Sequence, residues 1–152
     1  MPIIIANLVW PALYVVGRMT AITPIVAGLA VEFVFLRYVT SLRGFRCFSA
    51  DLAMNFVSAL LGIVLIPVVG IAWEFVAAVT IHPLFDVGTF NPATWTATAL
   101  LAALTNSAVE GQVLKSYFGL TTNRRFFLQL TAVNLITVSL AFLSLHRDPP
   151  KF

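Results

Sequence analysis

Charge is what this chain has least of. Only 10% of its 152 residues are Asp, Glu, Lys or Arg, against roughly 25% in an ordinary soluble domain. Hydrophobic residues make up 60%, and the mean hydropathy is +0.97. So little charge excludes a water-exposed surface of normal composition and points to an integral membrane protein. The single cysteine, Cys47, excludes an internal disulfide and any multi-cysteine metal or cluster site. The two histidines, His82 and His146, both fall at the ends of apolar runs and form no cluster for haem or a catalytic metal. No Gly-rich phosphate loop is present, and no serine, threonine or cysteine has a histidine base at a suggestive spacing, which argues against an enzyme. The net charge of +3 is no argument for nucleic acid, because the basic residues sit in short connections between apolar runs. The opening Met-Pro-Ile-Ile-Ile lacks the basic start of a secretory signal, and the N-terminus reads as mature protein.

What is there is a repeat. Val31-Glu32 returns as Val109-Glu110, Leu36-Arg37 as Leu114-Lys115 and Tyr38 as Tyr117. Arg46, Phe48, Ala53 and Asn55 return as Arg125, Phe127, Ala132 and Asn134. The copies are 78 positions apart up to Arg37 and 79 beyond it, so one extra residue belongs in the turn, where insertions are tolerated.

A chain of this length has room for about four spans of roughly 20 residues. The pattern predicts an all-α integral membrane protein of four transmembrane helices, arranged as two parallel-repeat helical hairpins. An N-terminal apolar segment, 1–19, is expected to be interfacial or re-entrant, since Pro11 and Gly17-Arg18 interrupt it. Hairpin one covers 20–79, an outer linker 80–93, hairpin two 94–145 and a tail 146–152. The spans themselves read as 20–38, 48–70 with a kink at Pro67, 93–114 and 126–145. The two hairpin turns hold Arg37, Arg43, Arg46, Lys115, Arg124 and Arg125, while Arg18, Arg147 and Lys151 are the only basic residues elsewhere. By the positive-inside rule the turns are cytoplasmic and both termini lie outside, as in a bacterial inner-membrane protein. Trp10, Trp73 and Trp95 then mark the outer interface, and Tyr38 and Tyr117 the inner one. The six basic side chains are placed to meet lipid headgroups.

Glu32 lies five residues inside Arg37, or roughly 7 to 8 Å below the inner boundary at 1.5 Å per residue. Asn55, Glu110 and Asn134 come at similar depth, predicting an intramembrane layer of two carboxyls and two carboxamides. A carboxylate facing lipid is costly, so these side chains are expected to face the protein interior. Three roles compete for the glutamates: pairing with Arg37, Lys115 or the asparagines; binding a proton or cation; or docking a partner subunit's polar group. Small residues, among them Ala27, Gly28, Ala53, Ser58 and Gly62, allow close helix approach. On the outer side Glu74, His82 and Asp86 are candidates to converge, with His82 and Asp86 spaced as a weak metal pair. Cys47 beside Arg46 is a lipidation or redox possibility.

The first expectation for function is a non-catalytic accessory or scaffold subunit, without cofactor, packing against other membrane chains. The alternative is a small proton- or cation-coupled channel or transporter, working as a homo-oligomer through the Glu/Asn layer. A binding protein of immunity type that uses the outer linker is a third class.

Overall fold

A computed structural model describes residues 10–19, 22–89 and 91–147. Every regular element among them is a helix: α1 (Trp10–Met19), α2 (Ile22–Val39), α3 (Gly44–Val79), α4 (Ile81–Phe85), α5 (Pro92–Phe118) and α6 (Arg124–Arg147). Three of these are long and apolar enough to cross a membrane: α2, α3 and the Arg124–Leu143 part of α6. Apolar helices are the expected outcome for such a composition, because a helix satisfies its own backbone groups where no water can.

The fourth expected span is α5, and its composition sets it apart. It is long enough, at 27 residues and about 40 Å, but Thr94, Thr98, Asn106, Ser107 and Glu110 are all buried along it. Polar residues that dilute its apolar character face neighbouring helices. Helix α5 is therefore not among the three helices apolar enough to cross a membrane.

Helix α2 packs on α3 and α6, and α5 packs on α3 and α6, with α3 against α5 the most extensive contact. The turns at 40–43 and 119–123 have four and five residues. Gly119 closes α5 in the left-handed conformation, φ 69°, a C-terminal position that glycine fills without strain. Asn123 starts α6 by accepting the Phe126 amide at 2.8 Å, and Asn91 starts α5 by accepting the Thr94 amide at 2.9 Å, with Pro92 in the first turn. Both turns lie at one end of the bundle, where Arg46 Nη2 donates to the Phe118 carbonyl at 3.3 Å.

The core has two apolar layers. Near the turns, Leu36, Cys47, Met54, Leu114, Phe126 and Leu130 pack together, with the Phe35 and Phe126 rings 5.5 Å apart. Toward the other end lie Ala12, Val15, Ile66, Ala102, Ala103 and Val138, with Trp95 edge-on to Phe142 at 5.3 Å. Outside the bundle Phe45, Phe56, Val64, Phe75 and Val79 are exposed. Apolar side chains face outward and polar ones inward, which is what lipid as solvent selects.

The sequence placed the end of the second span at Gly70. Helix α3 instead continues unbroken through Pro67 to Val79, 36 residues in all, about 54 Å long and well beyond the ~30 Å hydrocarbon core. Trp73 and Glu74 therefore stand on the spanning helix itself. The N-terminal segment is described from Trp10, and residues 1–9 lie outside the described residues. Its helix α1 packs against α2, α3, α5 and α6 with Ala12 and Val15 buried. Close approach to α3 requires Gly70, since a Cβ there would stand 2.6 Å from that of Ala12. The outer linker contains the short helix α4, ended by Asp86 in the left-handed region (φ 48°), and residues 148–152 of the tail again lie outside the described residues.

Candidate functional site

Between the two apolar layers sits a polar one. Asp51, Asn55 and Ser58 follow one another at i, i+4 and i+7 on α3, Asn106 and Glu110 at i, i+4 on α5, and Asn134 and Thr137 at i, i+3 on α6. Such spacings put each set on one helix face. Glu32 joins them from α2. Glu32 and Glu110 are each only 1% exposed.

Each glutamate is held by an asparagine of the next long helix in the chain. Asn55 Nδ2 donates to Glu32 Oε2 at 2.6 Å, and Asn134 Nδ2 to Glu110 Oε2 at 2.5 Å. The four side chains singled out from the sequence thus form two equivalent pairs. A hydroxyl adds a link between α3 and α5: Ser58 Oγ donates to Glu110 Oε1 at 3.0 Å. Thr137 on α6 lies close enough to Glu32 on α2 to interact with its carboxyl group, but its buried Oγ1 makes no hydrogen bond of good geometry. Ser58 and Thr137 are 79 positions apart, the repeat offset of the second helices. The same relation yields a made bond on one side and an unmade one on the other.

Asp51 is the member the sequence reading missed. It is buried, and its Oδ1 and backbone oxygen accept from Asn55 Nδ2 at 3.3 and 3.0 Å. Its repeat counterpart is Leu130, fully buried in the apolar layer, so a search for residues common to both copies passes over it. The signal that could have found it is its place one helical turn before Asn55. Asn106 was missed for the same reason: its counterpart is Gly28. Only 6% exposed, the Asn106 carboxamide makes no hydrogen bond within the described residues, and a Cβ on Gly62 would stand 3.6 Å from its Oδ1.

These groups share a cavity of about 280 Å³, lined by Glu32, Asn55, Ser58, Asn106, Glu110, Asn134 and Thr137 on its polar side. Among the described residues no Arg, Lys or His pairs with Glu32, Asp51 or Glu110. The expected pairing with asparagine is present, whereas Arg37 and Lys115 are exposed at the bundle end. Three buried acids without a cationic partner are an arrangement that favours uptake of a proton or a cation, since burial of unpaired charge is costly.

The basic residues of the turns are all exposed, but two of them also have structural work. Arg43 Nη1 donates to the carbonyls of Arg37, Thr40 and Leu42 at 3.0–3.1 Å, capping the end of α2, and Arg46 bridges the two turns. Cys47 is fully buried in the core, which closes it to lipidation in the folded protein. At the end of the bundle away from the turns, Glu74 Oε1 accepts from Thr89 Oγ1 at 2.6 Å and lies 3.6 Å from His82 Nε2. Asp86 is exposed, and no group of three or more His, Cys, Asp or Glu that could hold a metal gathers among the described residues.

Comparison with protein-family models, with curated proteins and with solved structures finds no match for this chain, so its function is argued from the site alone.

Proposed function

We propose that this protein is a small membrane transporter or channel that takes up a proton or monovalent cation at the Glu32, Asp51 and Glu110 layer. The observation that carries the reading is that three buried carboxyl groups line or adjoin one cavity and have no cationic partner among the described residues. In this reading α5 is the fourth span and lies between its neighbours as the polar wall of the pathway. The hairpins are two parallel repeats: their turns share one end, and the Glu–Asn bond recurs in each. The basic turns face the cytoplasm of a bacterial inner membrane, and a homo-oligomer is compatible with the exposed apolar faces.

Expectation of an accessory subunit draws less support. Glu32, Asn55, Glu110 and Asn134, the groups expected to dock partner helices, are engaged within this chain, and the apolar faces that remain would be covered equally by lipid. Reconstitution decides between them. Liposomes carrying the protein should dissipate an imposed proton or sodium gradient, and the Glu32→Gln/Glu110→Gln double variant should not, while retaining its helical circular dichroism and elution volume. Undiminished flux in that folded variant overturns the ion reading, and stable foreign subunits co-purifying in mild detergent would favour the accessory one.

A further inference from the structure

The cavity's shape says more than its acids do. Its other walls are apolar: Pro24, Ile25 and Leu29 on α2, and Phe56, Ile63 and Ile66 on α3. Ile25, Phe56 and Ile63 are at the same time exposed on the outside of the bundle. Both helices are apolar enough to span the membrane, so a mouth between them opens on hydrocarbon rather than on water. Helix α2 also packs less extensively on α3 than α5 does on α6, which leaves the opening on that side.

A site for a bare inorganic ion is a tight shell of a few oxygens. The cavity's volume of about 280 Å³ leaves room beyond such a shell, and its walls are mostly apolar. In its wall the Asn106 carboxamide, more than nine-tenths buried, makes no hydrogen bond among the described residues, and Thr137 Oγ1 makes none of good geometry. Buried polar groups left unpaired call for a ligand or water. An apolar chamber entered from lipid, with acids and spare hydrogen-bonding groups at its end, is complementary to one chemical class.

We propose that the cavity binds a lipophilic monovalent cation, an apolar body with a single onium or ammonium centre, which enters sideways between α2 and α3 and places its charge against Glu32 and Glu110. The proposal rests on the ion reading above and names its substrate class. Its apolar part occupies the space between Leu29, Phe56 and Ile63, and its charge replaces the cationic partner the acids lack.

Tetraphenylphosphonium is the probe, measured by equilibrium binding to proteoliposomes against protein-free liposomes of the same lipid. Saturable binding at one site per chain is expected, weakened at least tenfold in Glu32→Gln/Glu110→Gln. Ala59→Phe is the second variant, because Ala59 lines the mouth and is exposed; its ring obstructs entry without touching the acids. It should weaken binding at least tenfold while the protein keeps its helical circular dichroism and elution volume. Absence of saturable binding in a protein that still carries proton or sodium flux overturns the lipophilic substrate and leaves the ion reading standing. Binding that survives Ala59→Phe also overturns it, by placing the probe on the lipid-facing surface. Binding unaffected by the double glutamine variant, with flux also unaffected, overturns both.

Discussion

Ser58 and Thr137 occupy matching places in the two hairpins but differ in their bonds, and that difference can be measured. Ser58→Ala removes the hydroxyl that donates to Glu110 Oε1 at 3.0 Å. An interhelical hydrogen bond in a bilayer contributes about 0.6 kcal/mol on average and up to about 1.7. The vacated acceptor is inside the bundle, and an unsatisfied buried group costs about 1–3 kcal/mol. A loss of about 2 kcal/mol is therefore expected. Thr137→Val removes a hydroxyl that has no partner and adds a methyl group in its place. It relieves a polar group buried without compensation and gains roughly 0.8 kcal/mol of apolar burial at most. Its stability should be unchanged or about 1 kcal/mol higher. The gap of at least 2 kcal/mol between the two variants amounts to roughly a 30-fold difference in unfolding equilibrium. Unfolding by SDS in mixed micelles, followed by circular dichroism, resolves a gap of that size. Equal destabilisation by both substitutions would refute the reasoning, because it would mean that Thr137 holds Glu32 as firmly as Ser58 holds Glu110.

Two further outcomes follow from the packing and the caps. Gly70→Ala should cost about 1–3 kcal/mol by overpacking against Ala12, since the two Cβ atoms would stand 2.6 Å apart; Gly111→Ala, which meets nothing within 4 Å, should gain about 0.5–1 kcal/mol of helix preference, and the same unfolding assay ranks them. Asn91→Ala should lose about 1 kcal/mol, because the side chain that caps the Thr94 amide also donates to the Gly88 carbonyl at 2.6 Å, and amide exchange at the start of α5 should rise with it.

Much of the site was legible in the sequence. Glu32, Asn55, Glu110 and Asn134 stood out because they recur at a fixed offset in apolar surroundings, and both pairs are bonded in the structure. Asp51 and Asn106 were not legible by that logic, since Leu130 and Gly28 stand at their repeat positions. The hydroxyls of Ser58 and Thr137 were hidden in another way: Ser58 reads as a small residue for close packing, and whether its oxygen reaches an acid depends on how two helices cross. Helix α5 was expected as one span among equals. Its polar residues make sense only once it is placed between α3 and α6.

By itself the sequence determined that the chain is helical and lipid-adapted, where its turns fall, and which acids and amides lie at similar depth. These follow from composition, periodicity and the positions of charge, all of which are properties of the chain taken a segment at a time. Only the tertiary structure decided which side chains meet, that α1 docks on Gly70, and that Glu32 and Glu110 line one cavity. Those depend on the rotation and separation of helices. In lipid these are set by small residues, interhelical hydrogen bonds and shape, since no difference in hydrophobicity drives one apolar face toward another.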